Sequence, residues 1–258
     1  MPTYLLTNSG TTSSLSPTNT ICYFEYSILL ITETQQPRNI KVPLILHQKE
    51  RRSKYLLTPK RIMALILPDI KLAVGIDLGT ANIKAGIFRN GKLEIIPSSD
   101  GNLFMLAYLA FADNCRLFGA PAKYHAFRHP TSSVYNVKSF IGRKTTDPEL
   151  LTELETFTTK VIDKNGQATF QATHPRAEIE VNTVEVLAML LGQIRRNVEK
   201  YLKVFIPDAV ITVPAKYSMR QRQVVKDAAL IAGFNILRLL SAPSAILLGR
   251  GFEATSGT

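Results

Sequence analysis

The segment Leu72–Thr80 (LAVGIDLGT) constrains the fold more than any other part of the chain. An apolar run long enough for one buried strand reaches Asp77, and Gly79 and Thr80 come directly after it. A carboxylate at a strand end, then glycine, then a hydroxyl, has the composition of a phosphate turn. Glycine lets the backbone approach an anion and leaves its N–H groups unobstructed. The Thr80 hydroxyl can donate to a phosphate oxygen, and Asp77 can hold magnesium directly or through water. The same residues also fit a plain hairpin closed by an Asx-type turn. The motif alone does not separate the two readings.

The next twenty residues extend this strand into a sheet. Asn82–Phe88 reads as a second strand with Ile83, Ala85 and Ile87 on one face. Asn90-Gly91 suits a two-residue hairpin turn, where both residues need positive φ. Lys92–Pro97 then returns, which completes an antiparallel meander. Tyr108–Phe111 and Arg116–Phe118 predict short strands, and Pro121–His129 predicts a helix. Thr131–Ile141 leads to a further helical turn, and residues 157–181 give two strands about Asn165-Gly166.

Val184, Leu187, Leu191, Ile194, Val198 and Tyr201 recur at steps of three and four, so Val184–Leu202 reads as an amphipathic helix. Asn182 or Thr183 caps its start, with Glu185 three residues after Asn182. Arg195, Arg196, Lys200 and Lys203 lie near its end, where they oppose the helix dipole. Asp208–Pro214 reads as a buried strand. Ser218 caps a helix to Ala232, which Gly233 ends. Ile236–Leu240 is a further strand, and a helix opens at Ala242. Strand, helix, strand, helix predicts parallel strands with right-handed crossovers. The pattern gives an α/β fold with a mixed sheet.

Residues 1–70 differ in texture. They are Ser-, Thr- and Asn-rich at first, then polar and basic, and read as a poorly ordered N-terminal extension with one short strand or helix near residues 21–32. Met63 offers an alternative start. The run Ile21–Thr32 is too short to span a bilayer and carries Glu25, so no membrane span is expected. The formal net charge is +11, but Lys49–Lys54 is the only tight basic run. Such a run is ordinarily a solvated tail, and no aromatics interleave with Lys and Arg, so no nucleic-acid partner is expected. Cys22 and Cys115 form no CxxC and no disulfide framework, which fits a reducing compartment. His125 and His129 lack neighbouring Cys or carboxylate ligands and read as surface residues rather than a metal site.

Ala73–Thr80 (AVGIDLGT) is similar to the first phosphate signature of the 70-kDa heat-shock protein family. GIFRNGKLEII, Asn136–Arg143 (NVKSFIGR), Ala209–Ala215 (AVITVPA) and Gln221–Phe234 (QRQVVKDAALIAGF) resemble that family in order and spacing over residues 73–252. Within that family the chain resembles the divergent stress-chaperone-like branch. The proline-ended strand and NVKSFIGR argue against a sugar kinase or actin relative sharing the first phosphate turn. The resemblance implies an actin-like ATPase (ribonuclease H-like) lobe at residues 71–258, with flanking helices and a small inserted subdomain at about 105–180. It implies ATP/ADP and Mg2+ as cofactors, and unfolded polypeptide clients and co-chaperones as partners. A cytoplasmic location is expected, with the endoplasmic reticulum as alternative.

Residue by residue, the resemblance makes Asp77 the magnesium-associated aspartate and Gly79 and Thr80 the phosphate-loop pair. Ala81 stands where a second threonine is usual, so one phosphate contact is lost. Lys138 corresponds to the catalytic lysine that orients the attacking water and steadies γ-phosphate charge. Without its flanking motif it would read as a surface lysine. Pro214 and Arg222 correspond to the interdomain relay, although Lys216-Tyr217-Ser218-Met219 between them departs from the family pattern. Ala242 replaces a glutamate of the magnesium shell, and a methyl group cannot bind a hydrated cation. The chain stops at Thr258, before the second phosphate loop and second lobe would begin. The expectation is an ATP-binding chaperone lobe, truncated and weak or inactive as an ATPase. The alternative is a non-enzymatic degenerate lobe that docks chaperone partners.

Overall fold

The structure is a computed structural model that describes residues 72–90, 92–113, 115–174 and 176–249. The extension expected at 1–70, its short element near 21–32, and the second residue of the Asn90-Gly91 turn lie outside the described residues.

The main sheet begins with β1 (Ala73–Leu78), β2 (Asn82–Arg89) and β3 (Lys92–Ile96), paired antiparallel in sequence. Asn90 takes φ 54°, the left-handed conformation that the hairpin demands. A two-residue strand, β4 (Met105–Leu106), pairs with the start of β2. On the other side of β1, β11 (Asp208–Val213) and then β12 (Asn235–Ser241) add in parallel, giving the order β12-β11-β1-β2-β3. This is the meander with a parallel extension that the sequence predicts.

Between β4 and β11 the chain builds two smaller antiparallel sheets. One orders β6 (Cys115–Phe118), β5 (Tyr108–Ala112) and β7 (Ser133–Tyr135). The other orders β10 (Ile179–Asn182), β9 (Gln167–Ala172) and β8 (Lys160–Lys164). Residues 157–181 thus hold three strands rather than the two expected. The extra one, β10, is four residues long and lies at a sheet edge, too short for its alternation to stand out. Phe140, Phe157 and Phe170 pack edge-on or tilted at centroid distances of 5.0–5.6 Å and form the aromatic centre of this region.

Helices α1 (Ala120–Arg128) and α2 (Pro148–Thr156) belong to this stretch. The sequence reading omits α2, although Pro148 opens it and Glu149 lies in its first turn, both favourable at a helix start. The long helix α3 (Thr183–Leu202) is closed by a complete capping box. The Glu185 N–H donates to Asn182 Oδ1, and the Asn182 N–H donates to Glu185 Oε2. Leu187, Leu191, Ile194 and Val198 are buried as the periodicity requires. Tyr201 departs from that stripe: it is 43% exposed, and its hydroxyl donates to Glu94 Oε1 at 2.7 Å, tying α3 to β3.

Helix α4 (Met219–Ile231) carries a second capping box, between Ser218 and Gln221. Gly233 lies just beyond it with φ 85°. Arg195 does not simply oppose its own helix dipole. Its guanidinium reaches across to the carbonyls of Ala232 and Gly233, at 3.2 and 2.8 Å, and so satisfies the end of α4. The last described helix, α5 (Ala242–Gly249), starts directly after β12. None of the helices among the described residues is long and apolar enough to cross a membrane.

Candidate functional site

The parallel pairing of β1, β11 and β12 brings the carboxyl ends of three strands to one edge of the sheet. Ligands of open α/β sheets bind at such an edge. Asp77 sits near the end of β1, opposite Thr212 of β11 in the parallel register and Lys84 of β2 in the antiparallel one. The Thr212 hydroxyl donates to Asp77 Oδ1 at 2.7 Å. Thr212 and Lys84 are only 7% and 8% exposed. Residues directly opposite in a ladder share a face, so a hydroxyl and a lysine flank this carboxylate on its two sides. The sequence reading singles out neither. A threonine inside the apolar run DAVITVP and a lysine inside NIKAGIF are the signals that point to them.

The turn after β1 is open. Gly79 donates its N–H to the Asp77 carbonyl at 3.2 Å, and Thr80 and Ala81 are both exposed. A Cβ at Gly79 would lie 2.3 Å from the Asn82 carbonyl oxygen, so the close turn tolerates no side chain there. The Ala81 carbonyl accepts from the Ala107 N–H at 2.8 Å, which anchors the far side of the turn to the segment between β4 and β5. The bend therefore presents Thr80 and its neighbours outward and is not folded under the sheet.

Lys138 arrives from a different part of the chain, on the 3-10 turn Val137–Phe140. Asn136 enters that turn in the left-handed conformation, with φ 56°. Burial holds the Lys138 ammonium below its ordinary pKa, and the nearby Asp77 carboxylate pushes it back up. Two residues 61 positions apart in sequence are thus brought into electrostatic reach.

The segment after β11 supports this turn. The Tyr217 N–H donates to the Pro214 carbonyl at 3.1 Å, and the Tyr217 hydroxyl donates to the Lys138 carbonyl at 3.2 Å. Arg222 on α4 donates to the carbonyls of Tyr217 and Ala215, at 3.1 and 3.3 Å. Gln221 donates from Nε2 to the Ile141 carbonyl at 3.1 Å. Pro214 and Arg222 are therefore linked to the Lys138 turn through Tyr217, which lies within the segment Lys216-Tyr217-Ser218-Met219. Ala242 opens α5 one residue beyond Ser241, which pairs with Val213 next to Pro214. The hydroxyls of Ser241 and Ser244, on either side of Ala242 in sequence, lie 2.6 Å apart.

An open cleft of about 500 Å³ lies elsewhere, between β6, β10 and α3. Phe118, Ile179, Ala188 and Arg196 are among its lining residues, whereas Asp77, Thr80, Lys138, Pro214 and Arg222 are not.

A mixed sheet entered by a meander and extended in parallel, with a carboxylate–glycine–hydroxyl turn at its carboxyl edge, defines a lobe of the actin-like ATPase fold. Residues 73–257 match the family described as Hsp70 protein, and the chain belongs to that family. Heat shock 70 kDa protein 2 of Paracoccidioides lutzii is 39% identical over 181 residues, covering 70% of this chain and 28% of that protein. Heat shock 70 kDa protein of Neurospora crassa is 40% identical over 182 residues, again 70% of this chain and 28% of the relative. Heat shock 70 kDa protein of Ajellomyces capsulatus is 39% identical over 181 residues, 70% of this chain and 26% of its own length. The chain spans little more than a quarter of the length of these curated relatives.

This geometry sets two expected outcomes. Gly79→Ala forces the Asn82 carbonyl to move, and urea unfolding is expected to show a loss of about 1–3 kcal/mol, typical of overpacking against a fixed neighbour. Tyr217 offers a pH signature. Burial raises its phenol from 10.0 to about 12. A raised pKa favours the neutral form in the fold, so the stabilisation is fully present below pH 10 and is lost as pH rises toward 12. Spectrophotometric titration of phenolate absorbance is expected to show a late-ionising step that Tyr217→Phe removes.

Proposed function

We propose that this lobe forms one wall of an ATP site of the heat-shock 70 type, with Asp77, Gly79, Thr80 and Lys138 as its phosphate end. The observation that carries the reading is the outward-facing glycine turn beside Asp77, a carboxylate within electrostatic reach of Lys138. Those groups come from separate segments, and a plain Asx hairpin has no need of the second one. ATP or ADP would meet the backbone amides of the turn and the Thr80 hydroxyl. Ala81 would contribute its N–H alone, since a methyl group replaces the usual hydroxyl.

The residues fit magnesium in its usual mode, in which one or two carboxylates act together with phosphate oxygens and water. Asp77 is that carboxylate. Bound there, the ion would neutralise charge on the phosphates. Lys138 would hold a positive charge at the terminal phosphate and orient water. Pro214, Tyr217 and Arg222 would couple nucleotide state to the rest of a longer chaperone. Its clients would be unfolded polypeptides, its partners co-chaperones and its compartment the cytoplasm.

Ala242 favours a second reading, a lobe that docks chaperone partners without turning over ATP. No carboxylate stands at that position, so metal placement would be weaker and hydrolysis slow or absent. Calorimetric titration separates the two. ATP with magnesium added to the full chain is expected to give saturable heat, and Asp77→Ala to weaken the affinity at least tenfold, the factor of about 1.4 kcal/mol. Heat absent from both proteins, each with a folded circular dichroism spectrum, would favour the docking reading.

A further inference from the structure

Lys138 is held from two sides, and one of them has no counterpart in the motifs singled out by sequence. Tyr217 and Gln221 grip the 138–141 backbone from the α4 side. From a different element, α2, Glu153 reaches the same turn with both carboxylate oxygens. Asn136 Nδ2 donates to Glu153 Oε2 at 2.7 Å, and Ser139 Oγ donates to Glu153 Oε1 at 3.2 Å. These donors lie two residues before Lys138 and one residue after it, so the carboxylate straddles the lysine. We propose that Glu153 is a positioning residue that fixes the Lys138 turn by accepting from Asn136 and Ser139. This rests in part on the proposed role of Lys138 at the phosphate end, because a positioned lysine matters most if it faces a phosphate.

Three features give the clamp its consequence. Asn136 occupies the left-handed region, with φ 56°, a conformation that a side-chain hydrogen bond helps to hold. The turn is short, four residues from Val137 to Phe140, and at its ends the Ser139 N–H donates to the Asn136 carbonyl at 3.0 Å and the Ile141 N–H to the Lys138 carbonyl at 3.4 Å. Hydrogen bonds to a charged acceptor are roughly twice as strong as neutral ones. Helix α2 is in turn fixed where it must be. Leu150 is fully buried, and Glu149 pairs with Arg143 at 2.5 Å, just past the Lys138 turn. Glu153 thus carries the rigidity of a packed helix to a short turn that bears a half-buried amine.

The test reads the position of the amine and not the stability of the fold. The full chain is treated briefly with an amine-acylating reagent without nucleotide. Modification of Lys138 is then measured by mass spectrometry relative to Lys160 and Lys200, which are exposed and remote in sequence. Glu153→Ala is expected to raise the Lys138 ratio about tenfold, the scale set by losing hydrogen bonds to a charged acceptor. Glu153→Gln keeps one acceptor oxygen and is expected to fall between Ala and the parent. Lys160 and Lys200 normalise the dose of reagent, and Lys84 of β2, only 8% exposed, reports general loosening, which would raise Lys84 together with Lys138 and leave the ratio of those two flat. Should Glu153→Ala fail to fold, Ser139→Ala removes one arm of the clamp without touching α2 and is expected to give a smaller rise. An unchanged Lys138 ratio in the folded variants overturns the proposal. A parallel sample with ATP and magnesium separates this outcome from the nucleotide reading. Failure of ATP to protect Lys138 in the parent chain counts against that reading while leaving the clamp result intact.

Discussion

The parallel register between β1 and β11 is the constraint on which the site depends. It sets Asp77 opposite Thr212, whose hydroxyl donates to the carboxylate at 2.7 Å. A shift of one residue would turn Asp77 to the opposite face of the sheet. The register is held by burial. Val74, Ile76 and Leu78 of β1 are buried, as are Ala209, Ile211 and Val213 of β11. An apolar core thus fixes a polar edge, and the open turn at Gly79 results from where β1 is made to stop.

The turn that carries Lys138 is held by elements that come later in the chain. It is bonded by Tyr217 and Gln221 from the segment after β11 and by Glu153 from α2. Tyr217 is also bonded to Pro214 and Arg222, so its phenol joins the loop after β11 to the Lys138 backbone. The mechanical link is a chain of directional hydrogen bonds between packed segments. Such a link has a definite direction of strain, which a loop held only by apolar contact lacks.

Local signals in the sequence located most of the elements. The meander, the long helix with its Asn182 cap and the β11-α4-β12 run were legible because each carries its own punctuation: Asn90, Asn182 with Glu185, and Ser218 before α4. Helix α2 carried similar signals at Pro148 and Glu149, but a single buried leucine, Leu150, makes a faint apolar stripe over nine residues. Tyr201 satisfied the periodicity and yet points to Glu94, because spacing reports a face and not what covers it. The turn Asp77 to Thr80 stood out by its chemistry, which fits a phosphate turn and a plain hairpin alike, and the family resemblance favoured the first. Its partners Thr212, Lys84 and Glu153 were not legible, since only the fold brings them near residues far away in sequence. Lys138 was recognised through its motif, and its approach to Asp77 is a property of the folded chain.

On the proposed function, a metal-bound triphosphate sits at the carboxyl edge of β1, between the Gly79 turn and Lys138. Nuclear magnetic resonance with ATP and paramagnetic manganese in place of magnesium tests it most directly. The account predicts strong broadening of the amide signals of residues 77–82, Lys138 and Thr212, reversed by chelation, with the signals of α1 left sharp. Broadening centred on any other surface, or none at saturating ATP, would contradict it.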